Sequence, residues 1–147
     1  MLRSGRALML SLGVINLGFA LWMIFDPLPV ARALALSPAG PEAAAELRAM
    51  YGGLIGGFGA INLIGALRPQ RLCAALWISG WSFLGIGGVR LLSCILLGIS
   101  GAQIIYAAFE LCCASLSLYL LSRLERAGGI TPRPSTPLLN KKRDPKL

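Results

Sequence analysis

Three charged side chains lie within or at the edge of apolar stretches, and their chemistry sets the first question. Arg48 opens one stretch, Arg90 lies late in another, and Glu110 lies within a third. An ionisable group at bilayer depth costs at least about 2.5–3.5 kcal/mol and usually faces the protein interior. At about 1.5 Å per helical residue, Arg48 and Arg90 lie roughly 30 Å, and Glu110 roughly 20 Å, from the arginines that flank the opposite ends of their stretches. The three side chains are therefore predicted to form one polar cluster near a single membrane face.

Polar neighbours extend this predicted cluster. Tyr106 precedes Glu110 by one helical turn, in a stripe that begins at Gln103, and Tyr51 lies close to Arg48 in the sequence. Residues three or four positions apart share a helix face, so the candidate cluster contains Arg48, Tyr51, Arg90, Tyr106 and Glu110. Three interpretations remain open. The cluster is an ion pair that sets helix register, a pocket for a small polar or anionic ligand, or a path for protons or ions.

Catalytic and metal chemistry have little support. The chain has no histidine, and its four cysteines show no C-x-x-C spacing. Cysteines inside apolar stretches usually pack as small hydrophobic residues. Glu110 beside Tyr106 could act as an acid or base, but a nucleophile and a metal site are lacking. We therefore expect no enzyme activity, no metal and no cofactor.

The composition of the chain predicts the class of protein to which these charged residues belong. The chain has 147 residues, of which 56% are hydrophobic and 14% charged, and its formal net charge is +8. Soluble domains carry about 25% charged residues. This composition argues against a cytosolic enzyme, a disordered chain and a nucleic-acid-binding module, so no nucleic acid partner is expected. It predicts an integral membrane protein.

Four apolar stretches have the length of a membrane-spanning helix, which needs about 20 residues. They cover approximately residues 7–25, 41–67, 72–97 and 103–123. The fold class is therefore an all-α membrane protein, a bundle of four transmembrane helices within residues 1–124. The first stretch is predicted to be a retained helix, because its 19-residue apolar core exceeds that of a signal peptide.

Basic residues predict the orientation. Eleven of the fourteen flank the stretches on the side of the N-terminus, and one, Arg32, lies on the other side. Lysine and arginine in short connections mark the cytoplasmic side. Both termini are thus predicted to be cytoplasmic, in a bacterial inner membrane or the organelle equivalent. Residues 125–147 form a basic, proline-containing tail.

The end of the fourth stretch and the tail carry residues expected to contact anionic lipid headgroups or a partner. These residues are Arg123, Arg126, Lys141, Lys142, Arg143 and Lys146.

The second stretch carries a face of small residues. At 100° per residue, its members fall within an arc of about 160°. They are Gly52, Gly53, Gly56, Gly57, Gly59 and Ala60. Small residues let helix backbones approach closely in lipid. This face is predicted to be a helix-packing interface, either within the bundle or between chains of a homo- or hetero-oligomer.

The start of the second stretch also carries a recognisable motif. Residues 46–53 read Glu-Leu-Arg-Ala-Met-Tyr-Gly-Gly, and this segment resembles the E-x-R-A-x-Y-G-G motif of the small four-helix membrane proteins of the domain of unknown function 4345 family. Agreement continues through Leu67-Arg68-Pro69, Gly88-Val89-Arg90 and Glu110. The resemblance implies a bacterial-type four-helix membrane protein and implies no particular activity.

Two functions are consistent with these features. The first is a non-enzymatic membrane protein that acts by helix–helix interaction, as an accessory or structural subunit of a larger membrane complex. The alternative is a small carrier or ligand-binding membrane protein that uses the Arg/Glu cluster. In both cases the lipid bilayer is a partner, and the first adds other membrane subunits or further copies of the chain.

Overall fold

Four long apolar helices dominate the structure, a computed structural model that describes residues 1–33, 40–98 and 101–128. Each is long and apolar enough to cross a membrane, and they span Leu2–Phe25, Gly40–Leu67, Pro69–Leu97 and Ala102–Arg126. The predicted all-α architecture with four such helices is therefore confirmed, and the protein is a multi-pass membrane protein.

The helices are named in chain order. They are α1 (Leu2–Phe25), α2 (Pro27–Ala33), α3 (Gly40–Leu47), α4 (Ile55–Leu67), α5 (Pro69–Leu97) and α6 (Ala102–Arg126). Residues Arg48–Leu54 form a π-helical segment between α3 and α4, called the π segment below, so α3, the π segment and α4 make one continuous long helix.

Some helix ends differ from the prediction. Helix α1 begins five residues earlier than predicted and includes Arg3 and Arg6. The short helix α2 covers Pro27–Ala33, in the connection between the first two predicted stretches. Most of the predicted tail, including Lys141, Lys142, Arg143 and Lys146, lies outside the described residues.

Proline and glycine explain where the long helices end. Arg68 is the single residue between α4 and α5, with φ −113° and ψ 103°. The residue before a proline is disfavoured in the α region, so Pro69 ends one helix while it begins the next. Gly98 follows α5 at φ +63°, a left-handed conformation that glycine adopts without steric cost.

Successive long helices run antiparallel, in the order α1, α4, α5 and α6 around the bundle. Helix α1 packs mainly on α4 and α5 mainly on α6, so the bundle consists of two helical hairpins, α1 with α4 and α5 with α6. The two hairpins meet chiefly through α4 and α5. The N-terminal end of the bundle holds the start of α1, the α4–α5 connection and the end of α6. The far end holds α2, α3 and the connection from α5 to α6.

Two apolar clusters fill the described part of the bundle unequally. The first, around Met9, Leu76 and Leu121, draws on all four long helices and extends from the N-terminal end. The second, around Met23 and Leu47, draws on α1, α2, α3 and the π segment, without a residue of α5 or α6. In the described residues, a common apolar core therefore joins the two hairpins toward the N-terminal end alone.

Glycines bring α1 and α4 into close contact. A Cβ at Gly59 would lie 2.9 Å from the backbone nitrogen of Leu17, and one at Gly52 would lie 2.6 Å from Cγ1 of Ile24. Real Cβ atoms do not approach other atoms this closely, so a side chain at Gly59 would displace the helix, and one at Gly52 would displace the side chain of Ile24. In lipid, where apolar burial does not drive helices together, such close packing supplies much of the association energy.

The α1–α4 contact predicts different effects for two neighbouring glycines of α4. We expect Gly59→Ala to lower the free energy of unfolding by about 1–3 kcal/mol, because the new methyl group overlaps the backbone at Leu17. Gly57→Ala is the matched control, since a Cβ there has no atom within 4 Å. Alanine has a higher helix propensity than glycine, so the free energy of unfolding of the control should equal or exceed that of wild type. Denaturant titration in mixed micelles measures both, and equal stability of the two variants would contradict the packing described here.

Candidate functional site

The candidate site is centred on an ion pair between α5 and α6. Arg90 donates from Nε to Oε2 of Glu110 at 2.9 Å and from Nη2 to Oε1 at 2.8 Å, so both carboxylate oxygens are engaged. Nη1 donates to Oε1 of Gln103 at 2.7 Å. Two parallel charge-assisted hydrogen bonds fix the relative orientation of both side chains as well as their distance. The predicted partnership of Arg90 and Glu110 is therefore present in the structure.

Gly87 positions this pair. A Cβ at Gly87 would lie 3.0 Å from both Cβ of Glu110 and Cγ of Leu111, so α6 passes very close to α5 at that level. Arg90 lies one turn farther along α5, on the side of α6. The close approach at Gly87 thus places the carboxylate within reach of the guanidinium, and the ion pair in turn holds the two helices in register.

One aromatic ring lies beside the exposed part of Arg90. The side chain of Arg90 is 30% exposed, while that of Glu110 is 13% exposed. The guanidinium carbon lies 5.8 Å from the centre of the Tyr106 ring, within cation–π range. Three of the five predicted cluster residues, Arg90, Tyr106 and Glu110, are thereby brought together, whereas Tyr51 packs against the second apolar cluster.

Arg48 also lies apart from the ion pair, and its predicted place in the cluster is wrong. Its Nε donates to the backbone oxygen of Ile24 at 3.0 Å, near the C-terminal end of α1. Within the described residues it forms no ion pair with Glu110. The last carbonyl groups of a helix lack intrahelical donors and carry partial negative charge. Arg48 satisfies one of them, which turns its side chain toward α1 instead of toward α5 and α6.

The opposite end of the same helix pair carries a matching contact. Arg6, in the first turns of α1, donates from Nε to the backbone oxygen of Ala66 at 2.7 Å, near the C-terminal end of α4. Each of the two antiparallel helices thus offers an arginine to the C-terminal carbonyl groups of the other. The sequence does not reveal this role of Arg6, because it depends on which helix is its neighbour.

A second polar contact between helices lies nearer the N-terminal end of the bundle than the ion pair does. The buried hydroxyl of Ser79 on α5 donates to the side-chain oxygen of Asn62 on α4. Ser117 of α6 is also fully buried. Interhelical hydrogen bonds of this kind contribute about 0.6 kcal/mol on average in membrane proteins. This contact helps join the two hairpins.

The predicted small-residue face divides into two parts. Gly52, Gly56 and Gly59 contact α1, whereas Gly53, Gly57 and Ala60 are exposed. The first three therefore pack within the bundle. The last three form a surface stripe on α4, called the open stripe below.

The π segment is a feature that sequence reasoning missed. It coincides with Arg48, Tyr51 and the first two glycines of the small-residue face. Short π-helical turns inside α-helices occur frequently at functional sites. The adjacent Gly52 and Gly53 are the available sequence signal, since residues without a Cβ accommodate the wider turn most easily.

Two remaining predictions concern the N-terminal end and the cysteines. Arg123 donates from Nε to the Tyr119 hydroxyl at 3.1 Å, and Arg126 is exposed at the end of α6. All four cysteines are free thiols. Among the described residues, no three cysteine, aspartate or glutamate side chains come together as metal ligands.

The sequence matches a known family over most of its length. The sequence model of a domain of unknown function, DUF4345, matches residues 5–121. The chain belongs to this family. The DUF4345 match contains the whole ion-pair site, the π segment and both parts of the small-residue face. No curated protein and no solved structure matches the chain.

The ion pair predicts a specific pattern of stability changes. We expect Glu110→Gln to lower the free energy of unfolding by about 2.5–3.5 kcal/mol, because it leaves the Arg90 charge unpaired at membrane depth. The double variant Arg90→Leu with Glu110→Leu should lose less, since it removes both charges. Unfolding titrations of Arg90→Leu, Glu110→Leu and the double variant form the double-mutant cycle that measures the coupling.

Glu125→Gln is the matched control for this cycle. It makes the same chemical change in α6 at an exposed position near the end of the helix. We expect its free energy of unfolding to equal that of wild type. Additive losses in the cycle, or an equal loss in the control, would contradict a coupled pair.

Proposed function

We propose that this DUF4345 protein is a non-enzymatic membrane protein that acts through helix–helix contacts, as an accessory or structural subunit of a larger membrane complex. The observation that carries the proposal is the open stripe of Gly53, Gly57 and Ala60 on α4. These residues are exposed, and a Cβ at Gly57 would have no atom within 4 Å. A second backbone can approach α4 closely along this stripe.

The chemistry of membranes favours a helix as the occupant. Exposed glycine costs a helix about 1 kcal/mol relative to alanine and gives no packing in return within this chain. Small residues spaced four apart are typical of surfaces where two transmembrane helices meet. The partner is then a helix of another subunit or of a second copy of this chain.

Another exposed glycine shows what distinguishes the open stripe. A Cβ at Gly85 on α5 would also have no atom within 4 Å. However, Trp81 and Val89, one turn away on either side, are 53% and 66% exposed. Their bulk keeps another backbone at a distance from Gly85, whereas Gly53 and Gly57 follow each other on the same face.

The ion pair fits a structural role in this proposal. Both oxygens of Glu110 accept hydrogen bonds from Arg90, and Gln103 accepts a third. A carboxylate and a guanidinium engaged in this way serve to hold α5 against α6. They are less available for proton transfer to or from a substrate, in line with a non-enzymatic role.

The proposal includes a location and an orientation. The basic residues gathered at the N-terminal end of the bundle include Arg3, Arg68 and Arg126. The positive-inside rule favours a cytoplasmic position for this end and so for both termini. The membrane is then a bacterial inner membrane or an organelle equivalent, where anionic headgroups attract the basic residues of this end and of the tail.

A bulky residue in the open stripe tests the proposal. We expect the wild-type protein, extracted in a mild detergent, to have a mass greater than one chain. Gly57→Leu should reduce the mass to one chain, because leucine keeps the partner backbone away, while its Cβ has no atom of this chain within 4 Å. Native mass spectrometry measures the mass, and identifies whether the lost component is another protein or a second copy.

Gly85→Leu is the matched control, because it makes the same change at an exposed glycine of α5 with open space around it. It should leave the mass unchanged. A wild-type protein that consists of one chain, or a complex that survives Gly57→Leu, would count against the proposal. Unfolding titrations of both variants separate a loss of partner from a loss of fold.

The partial exposure of Arg90 favours a second candidate, a small carrier or ligand-binding protein. The ion pair lies in the part of the bundle where no common apolar cluster of described residues joins the two hairpins. An anion could there contact Arg90 and Tyr106. Stabilisation of a single chain by acetate or inorganic phosphate, lost in Tyr106→Leu, would support this candidate and argue against the first.

A further inference from the structure

A groove lies between α1 and α4 at the N-terminal end of the bundle, away from the ion pair and from the open stripe. Its volume is about 260 Å³. Six residues from the start of α1 and the end of α4 line it: Arg3, Arg6, Ala7, Leu10, Ala66 and Leu67. Two of them are basic, four are apolar and none is acidic, so the groove is both cationic and apolar.

The charged part of the groove is held in place. Arg6 is fixed across the two helices by its bond from Nε to the Ala66 carbonyl oxygen at 2.7 Å. Its Nη groups form no hydrogen bond within the described part of the chain. Arg3 lies one turn earlier on the same side of α1, and both arginines line the groove. Two guanidinium groups therefore face one small space, where an anion would be bound by both.

The apolar part lies deeper along the membrane normal. Leu10 is seven residues from Arg3, which places it about 10 Å farther along the helix axis. Leu10 is 48% exposed, whereas Leu67 is the last residue of α4 and lies at the level of the arginines. The groove thus passes from two cations at the end of the helices to the exposed Leu10 within the spanning region. This order of polarity matches a phospholipid, whose phosphate lies at the surface and whose acyl chains lie inside.

We propose that this groove binds one anionic glycerophospholipid, with its phosphate between Arg3 and Arg6 and an acyl chain against Ala7 and Leu10. Basic pockets between transmembrane helices are suited to anionic headgroups. Charge complementarity favours an anionic over a zwitterionic lipid, because the zwitterionic headgroup adds a cation beside the two arginines. The site does not depend on the orientation of the protein, since both membrane faces carry phospholipid headgroups.

Lipid titration of the purified full-length chain tests the proposal. Dioleoylphosphatidylglycerol and dioleoylphosphatidylcholine share their acyl chains and differ in headgroup charge, and native mass spectrometry counts the molecules bound. We expect one phosphatidylglycerol to bind more tightly than the others, and no equivalent phosphatidylcholine. Arg3→Gln should weaken this first step about fivefold, the effect of one basic residue near a membrane surface.

Two matched controls separate the groove from general attraction. Arg126→Gln removes the same charge from the same end of the bundle but outside the groove, so the first binding step should be unchanged. Ala7→Trp fills the groove while it keeps both arginines, and should abolish that step. Ile15→Trp, at a position of α1 that is 56% exposed and about 140° around the helix from Leu10, should not.

Several results would overturn the proposal. Equal affinity for the two lipids would show that the groove does not recognise charge. An Arg3→Gln variant that behaves like Arg126→Gln, or an Ala7→Trp variant that still binds, would place the lipid elsewhere. A second copy of the chain bound to the wild type in place of lipid, and lost with Ala7→Trp, would identify the groove as a protein interface. Residues 127–147 are identical in all variants, so their own lipid contacts cancel in these comparisons.

Discussion

The close approach of helix backbones at glycine is the constraint on which the rest of this structure depends. Gly59 meets α1, Gly65 meets Ala75 where α4 turns into α5, and Gly80 meets Leu118 between α5 and α6. Every pair of long helices that follow each other along the chain is therefore joined at a position where a larger side chain does not fit. In a membrane this matters more than in water, because lipid tails are as apolar as the helices and burial alone does not drive association.

The polar contacts use the geometry that these glycines create. Arg90 reaches both oxygens of Glu110 because Gly87 brings α6 close to α5, and Ser79 reaches Asn62 across the interface that begins at Gly65. Each of these contacts satisfies a group that is costly to leave unpaired in hydrocarbon. Close packing thus determines which polar groups can meet, and the hydrogen bonds and the ion pair then select one register among those that packing permits.

Much of this arrangement follows from the sequence. The four apolar stretches predict the four helices, and residue counts along them place Arg90 and Glu110 at similar depth, where the structure pairs them. Depth, however, says nothing about the direction in which a side chain points around its helix. Arg48 lies at the predicted level but turns to α1. Its true partner is a backbone carbonyl group, which no pattern of side chains reveals.

The small-residue face illustrates the same limit. An ideal helix places its six members within one arc, and the sequence therefore predicts one interface. The structure uses Gly52, Gly56 and Gly59 against α1 and leaves Gly53, Gly57 and Ala60 outside. Which half is covered depends on how α1 crosses α4, a tertiary property. The π segment adds to the difficulty, since a wider turn changes the direction of every residue that precedes it relative to those that follow.

The paired arginine contacts of α1 and α4 have a mechanical consequence. Because Arg6 and Arg48 bind carbonyl groups at opposite ends of two antiparallel helices, any sliding of one helix along the other changes both distances at once. The two helices therefore behave as one rigid unit of constant length. When the surrounding bilayer becomes thicker or thinner, such a unit adapts by a change of tilt rather than by a change of length. A tilt of this unit would also move the π segment, because that segment is continuous with α4.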